Sequence, residues 1–251
     1  MRLKNKVAII TGGGSGFGEG MAKRFAAEGA KIVVNDINAE GGKRVAEEIK
    51  KAGGTAVFHK GDVTRDAQVK AMVGAALKRW GRLDIMVNNA GFTHRNQPMT
   101  DVSEKEFDRI FAVNVKAIFL SARHAVPVMK KQGGGVILNT ASTAAVRPRP
   151  GLTWYNGSKG AVVTITKSMA VELAPDKVRV VAINPVVSAT GMLAQFLGKD
   201  TPEIRAKFVA TIPMGRMSTP KDIANTALFL CSDEAEFVTG VCVEVDGGRC
   251  I

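Results

Sequence analysis

The sequence predicts an α/β fold, a doubly wound parallel sheet of seven strands with helices on both faces, and three observations carry that expectation. Short apolar runs of strand length alternate with longer segments of helical periodicity along the whole chain. Those runs end in polar turns containing glycine or asparagine, at the sheet edge where ligands of such folds sit. A glycine-rich loop joins the first strand to the first helix.

The 251 residues include no Pro/Ser-rich linker, charge block, repeat or low-complexity tract, so one domain spanning residues 1–251 is expected. An apolar fraction of 45% with 23% charged residues is that of an ordinary soluble globule. The N-terminus runs directly into an apolar strand without a cleavage site, and no stretch reaches the ~18 apolar residues of a membrane span. A cytoplasmic protein without membrane attachment is expected. Cys231, Cys242 and Cys250 lack metal-ligand spacing and read as reduced thiols, so no metal is expected. The net charge of +12 raises nucleic acid as a partner. However, lysine and arginine are dispersed, with no basic helix or aromatic-interleaved patch. Nucleic-acid binding is therefore not expected, and the charge reads as solubility and mild attraction for phosphates.

Residues 7–10 form the first strand, and the loop Thr11-Gly12-Gly13-Gly14-Ser15-Gly16-Phe17-Gly18 leads into a helix over 19–28. Strand, glycine loop, helix is the order a dinucleotide site requires. Glycine permits the tight turn and close backbone approach, and helix N-terminal amides face a pyrophosphate. This makes Gly12, Ser15, Gly16, Phe17 and Gly18 cofactor candidates. Asp36 ends the second strand, 31–35, where a carboxylate accepts from ribose hydroxyls and repels a 2′-phosphate. With Ser15 and Ile37 standing where an arginine could hold that phosphate, NAD(H) is expected rather than NADP(H). The competing reading is that Asp36 caps a turn with Asn38.

A charged helix over 39–52 and a third strand over 55–59 follow, with His59 expected at the surface. Asp62 and Val63 stand at that strand's carboxyl end as candidates for the adenine edge and face. Asp62 could equally serve a turn before the helix over 66–80. The fourth strand, 83–87, ends in Asn88-Asn89-Ala90-Gly91, where asparagine amides can bridge strand ends and Gly91 allows a ligand to pass. Asn89, Ala90 and Gly91 join the cofactor candidates.

Residues 102–131 read as one long helix, with Ser103 and Glu106 forming a capping box and glycines 133–135 closing it. Asn114 interrupts its apolar face and needs a partner or a water. The fifth strand, 136–139, is followed by Ser142. Tyr155 then opens a helix with Lys159 four residues on, so phenol and ammonium share one face. An ammonium beside a phenol favours the phenolate, making Tyr155 a usable acid/base.

Taken together, Thr11-Gly12 with Gly16 and Gly18, Asn88-Asn89-Ala90-Gly91, Asn114, Ser142, and Tyr155 with Lys159 resemble the short-chain dehydrogenase/reductase family over the whole length, in order and spacing. The resemblance implies a Rossmann-like fold and hydride transfer between a nicotinamide cofactor and the carbinol or carbonyl carbon of a small alcohol or ketone. It implies that Tyr155 exchanges the proton, Ser142 bonds the substrate oxygen, and Lys159 lowers the phenol's pKa and binds the ribose. Asn114 would hold a water linking Lys159 to solvent. Gly157 and Gly160 would let other backbone approach, and the 102–131 helix and the Tyr155 helix would pack across the interface of a homodimer or homotetramer.

After the sixth strand, 178–183, Pro185 is a further cofactor candidate, and the Ser188 backbone and Thr190 hydroxyl are expected to meet the carboxamide. Val186 stands where the family commonly has glycine, which puts the pocket's shape in doubt. Residues from about 190 to 217 read as a lid, followed by a helix over 220–231 and a last strand over 241–245. Substrate-pocket candidates are His94, Arg95, Ala144, Arg147, Trp154, Val186, Met192 and Phe196, and Arg147, Arg149 and Arg95 invite an anionic substrate. The alternatives are a 3-oxoacyl-thioester reductase using NADP(H) and a non-catalytic cofactor-binding regulatory protein of the same fold.

Overall fold

The computed structural model describes residues 1–188 and 193–251. Seven parallel strands form one sheet in the order β3-β2-β1-β4-β5-β6-β7. They are β1 (Val7–Thr11), β2 (Lys31–Asp36), β3 (Thr55–Lys60), β4 (Ile85–Asn88), β5 (Gly135–Thr140), β6 (Val178–Pro185) and β7 (Cys242–Val245). Chain order reverses between β1 and β4, which opens a crevice at the strands' carboxyl ends.

Strand periodicity divides the core into two layers. Ala8, Ile10, Ile32 and Val34 point to one face, under α1 (Gly16–Ala27), α2 (Ala39–Lys51) and α9 (Pro220–Cys231). Val7, Ile9 and Val33 point to the other, under α3 (Asp66–Trp80), α5 (Ala117–Lys131) and α6 (Thr153–Leu173). All five residues of β1 are buried, as a central parallel strand covered on both faces requires.

Three expectations need correction. The helix expected over 102–131 is interrupted: α4 (Glu104–Phe111) passes through a π-turn at Ala112–Lys116 into α5. The cause sits inside that turn. Asn114 is 3% exposed and its amide serves the neighbouring Phe92 segment, so the polar break in the apolar stripe is also a break in the backbone ladder. The Ser103–Glu106 capping box is present. The fourth strand begins at Ile85; Asp84 just before it already bonds Val7 O through its main-chain N–H, and its carboxylate accepts from Val7 N at 2.8 Å. His59 is half-buried rather than at the surface, its Nδ1 3.3 Å from Asn35 Nδ2, and burial pushes its imidazole below the usual range.

Beyond residue 192, α7 (Leu193–Leu197) and α8 (Pro202–Val209) are separated by the polar gap at 198–200, and both lie along the carboxyl-end crevice. No helix among the described residues is long and apolar enough to cross a membrane.

Candidate active site

The crevice widens into a cavity of about 740 Å³, a volume suited to a large ligand. One end is built by the glycine loop. Gly12 and Gly16 hold φ of +62° and +54°, the left-handed region that glycine enters without strain, and they line the cavity with Ser15 and Phe17. Gly18 does not line it. A Cβ there would lie 2.1 Å from Gly12 O, so Gly18 seats α1 on the loop, which corrects its expected ligand contact. Thr11, beneath the loop, ties two strand ends together: its hydroxyl donates to Val87 O and accepts from Asn89 N and Ala90 N. Asn89 Nδ2 donates to Thr11 O at 2.9 Å, and its Oδ1 accepts from Thr140.

Asp36, Ile37, Asp62, Val63, Ala90, Gly91, Pro185 and Ser188 also line this cavity. Asp36 Oδ2 accepts from Gly14 N at 2.9 Å and Oδ1 from Asn38 N at 2.8 Å, so it caps the turn and faces the crevice at once. Asp62 accepts from Thr64 N and Oγ1 through Oδ1, forming a local turn. Thr190 and Met192 lie outside the described residues. The left-handed glycines, the free helix N-terminus and the two carboxylates at β2 and β3 form a donor and acceptor set that fits a dinucleotide.

At the other end, Ser142, Tyr155 and Lys159 line the same cavity. Ser142 leaves β5 in extended conformation and its Oγ accepts from Ala144 N at 3.1 Å, which aims the hydroxyl. Tyr155 packs edge-on against Phe196, ring centroids 5.2 Å apart, in a cluster with Ala144 and Leu152. Lys159 donates to Thr140 O at 2.7 Å. Burial pushes the Tyr155 phenol up to about 12, with a Ser142 hydrogen bond drawing it back, and burial pushes Lys159 down to about 8. Burial, and not Lys159, thus sets the direction of the phenol's shift in this structure. Both groups are desolvated, and the Lys159 Nζ stands 5.8 Å from the ring centroid, committed to a backbone oxygen.

Asn114 reaches this centre from the π-turn. Its Nδ2 donates to Phe92 O and Ser158 Oγ, both at 2.9 Å, and its Oδ1 accepts from Phe92 N at 2.8 Å. The side chain is occupied in clamping the Gly91–Phe92 segment. Beside it and Lys159 lies a recess about the size of one water, lined also by Thr11 and Thr140.

Of the substrate candidates, Ala144, Val186 and Phe196 line the cavity, and Val186 is 2% exposed with its branched side chain in the wall. Four others do not. His94 is buried with Nδ1 2.7 Å from Arg95 O, and Arg95 is exposed. Trp154 donates to Met99 O at 3.0 Å and packs edge-on against Phe107. Arg147 is exposed and donates to Arg249 O. His94, Trp154 and Arg147 each found a backbone or aromatic partner, and Arg95 is exposed. Missed in the sequence were Thr140, Phe208 and Arg249. Arg249 carries no local motif; the Asp246-Gly247-Gly248 turn, with φ of +66° and +86° at its glycines, is the one signal that the chain doubles back there.

A family model of the short-chain dehydrogenase type, described as enoyl-(acyl carrier protein) reductase, matches residues 12–249. The 4-formylbenzenesulfonate dehydrogenase TsaC1/TsaC2 of Comamonas testosteroni is 52% identical over 250 residues, 99% of each chain. Among solved structures, a 3-ketoacyl-(acyl-carrier-protein) reductase from Brucella melitensis complexed with NADH is 51% identical with a TM-score of 0.93, covering 99% of this chain and 100% of that one. A 7α-hydroxysteroid dehydrogenase complexed with NADH and 7-oxo glycochenodeoxycholic acid is 39% identical, also at 0.93, covering 98% and 95%. The chain belongs to the short-chain dehydrogenase/reductase family and is an oxidoreductase of CH–OH groups that uses a nicotinamide cofactor.

Proposed function

We propose that the protein interconverts a small ring-bearing alcohol and its carbonyl compound with NAD(H), Tyr155 being the acid/base. The observation that carries this reading is the meeting of Tyr155, Ser142 and Lys159 on the wall of a cavity whose other wall is Leu152, Val186 and Phe196. Bound nicotinamide supplies the hydride acceptor or donor. The Tyr155 hydroxyl, kept protonated by burial, donates to a carbonyl oxygen in the reducing direction; in the oxidising direction it passes its own proton toward neutral Lys159 as its oxygen takes the carbinol proton. Ser142 Oγ, aimed by Ala144 N, bonds the same oxygen. Lys159 and the recess beside Thr140 and Asn114 carry the proton onward. Apolar walls exclude water and favour a ring.

Asp36 supports NAD(H). Its carboxylate faces the crevice, and the nearby cation Arg44 is engaged by Glu19 and Glu48 rather than free for a 2′-phosphate. Residues of α7 and α8, with Phe196 and Phe208 on the cavity wall, support a lid within about 190–217 of a single catalytic domain. Beyond their own stretch of helix, no described residue has an atom within 4 Å of a Cβ built at Gly157 or Gly160, and Phe119 and Val171 on α5 and α6 are 60% and 80% exposed. That supports a homodimer or homotetramer joined through these helices.

A panel of benzylic and alicyclic alcohols, their carbonyl partners and 3-oxoacyl thioesters, followed by absorbance of the reduced nicotinamide with NAD(H) and NADP(H) in parallel, tests the reading. Turnover of ring-bearing alcohols with NAD⁺ is expected. Turnover confined to thioesters with NADPH would overturn it.

A further inference from the structure

We propose that the substrate carries an oxyanion, a carboxylate or sulfonate, held by the guanidiniums of Arg149 and Arg249 at the catalytic end of the cavity. The proposal rests on the oxidoreductase reading of that cavity and names its substrate class.

Both arginines line the cavity. Arg249 is 7% exposed, and its Nε donates to Thr211 Oγ1 at 3.2 Å. Arg149 has a buried Nη1 without a hydrogen-bond partner. The two guanidiniums share one ring: their Cζ atoms lie 4.9 Å and 5.1 Å from the Phe208 centroid, a contact that fixes the cations but neutralises neither. Among the described residues neither pairs with a carboxylate. Asp246, three residues before Arg249, acts on it only through space: its Oδ1 accepts from Gly248 N and its Oδ2 from Cys250 N, and it makes no ion pair with the guanidinium. Arg147 adds a third positive charge by donating to Arg249 O.

Buried cations without a counter-charge are unfavourable, and like charges side by side more so. Burial pushes Arg149 and Arg249 below the usual arginine range, with Arg249 and Arg147, respectively, pushing in the same direction, and at Arg249 the nearby Asp246 and Cys250 oppose the shift without reversing it. A structure that gathers such groups on a cavity wall is completed by an anionic ligand. The fork of a guanidinium matches a carboxylate or sulfonate bidentately.

Location separates this anion from the cofactor's phosphates. Arg149 belongs to the turn that leads into α6, and its main-chain oxygen accepts from Asn156 Nδ2 at 2.9 Å, next to Tyr155. Arg249 reaches the cavity from the C-terminal turn after β7. Phe208 packs with Val186 and Ile212, on the substrate side. The fitting molecule has a carbinol or carbonyl at Tyr155, an apolar body against Leu152, Val186 and Phe196, and an anionic tail.

The test compares kcat/KM for 4-formylbenzoate and 4-formylbenzenesulfonate with that for 4-methylbenzaldehyde, and the two anions separate carboxylate from sulfonate. The wild-type protein is expected to favour one or both anions by at least about 10-fold. Arg149→Met and Arg249→Met should each lower that ratio by about 10- to 100-fold. Arg149→Lys, which keeps the charge and guards against misfolding, should lower it less. Arg95→Met, on an exposed residue outside the cavity, should leave it unchanged. Calorimetric titration of benzoate and benzenesulfonate gives a readout independent of turnover. If the uncharged aldehyde is used as well as the anions and neither anion binds in an arginine-dependent way, the proposal is overturned while the oxidoreductase reading stands. If no aldehyde or alcohol turns over yet the anions bind and the Met variants lose them, the anion site stands and the oxidoreductase reading falls.

Discussion

Lys159 donates to the main-chain oxygen of Thr140 at 2.7 Å and lies 5.8 Å from the centroid of the Tyr155 ring, one helical turn away on α6. Burial drives the two groups apart in acidity, the phenol up to about 12 and the ammonium down to about 8. The first proton to leave the pair therefore does so near pH 8, and it belongs to the pair rather than to either residue. Oxidation of an alcohol needs a base, so kcat/KM should rise about 10-fold per pH unit below 8 and level off above. Reduction needs the fully protonated pair, so it should stay level below 8 and decline above. Initial rates in both directions from pH 6 to 10 check this. Identical profiles in the two directions would exclude the assignment.

Removal of the phenolic oxygen separates chemistry from binding. Tyr155→Phe keeps the ring against Phe196, 5.2 Å between centroids, and so keeps the wall of the cavity. Turnover is expected to fall by about 10²–10⁴-fold, the usual contribution of a positioned acid/base. NADH affinity, measured by fluorescence titration, should change by less than about threefold. Undiminished turnover would remove Tyr155 from the reaction.

The sheet and glycine loop were legible because their signals are local. Residues 7–10 of β1 are an unbroken apolar run, and the glycines at 12 and 16 hold φ of +62° and +54°. The Tyr155–Lys159 pair was legible for the same reason, since one helical turn places both on a face. Lys159's effect on the phenol was not, because desolvation depends on everything packed around it. The substrate wall was the least legible part. Arg249 enters it from the far end of the chain, and Trp154, three residues from Gly151 and next to Tyr155, turns instead toward Phe107. The π-turn at Asn114 arises from a hydrogen-bonding demand made by Phe92, 22 residues away, which helical periodicity cannot register.

Asp36 divides its oxygens between two backbone amides and the cavity. A negative charge at this place opposes a 2′-phosphate, so the wild-type protein should prefer NADH to NADPH by at least about 10-fold in kcat/KM. Asp36→Ala removes the repulsion. Asn38, whose side chain accepts from Glu40 N and Gly41 N, still caps α2, so the fold should tolerate the change. The preference is expected to shrink by about 10-fold or more, chiefly through a weaker KM for NADH. An unchanged ratio would mean that discrimination lies elsewhere.

Asn114→Ala tests whether the π-turn clamp is structural as well as catalytic. The side chain satisfies both the N–H and the carbonyl of Phe92, at 2.8 Å and 2.9 Å, in a site where Asn114 is 3% exposed. Truncation leaves those groups and Ser158 Oγ without this partner, and each buried polar group so stranded costs about 1–3 kcal/mol unless water enters. A loss of about 2–4 kcal/mol is expected by denaturant titration, with Tm lower by about 4–12 °C. Because Gly91 and Phe92 both line the cavity, NADH affinity should weaken in the same variant. Asn114→Asp can still accept from Phe92 N but cannot donate to Phe92 O, so it should recover only part of the stability. Full stability in the alanine variant would show that the Gly91–Phe92 segment is held by the strand ends alone, through Thr11 and Asn89.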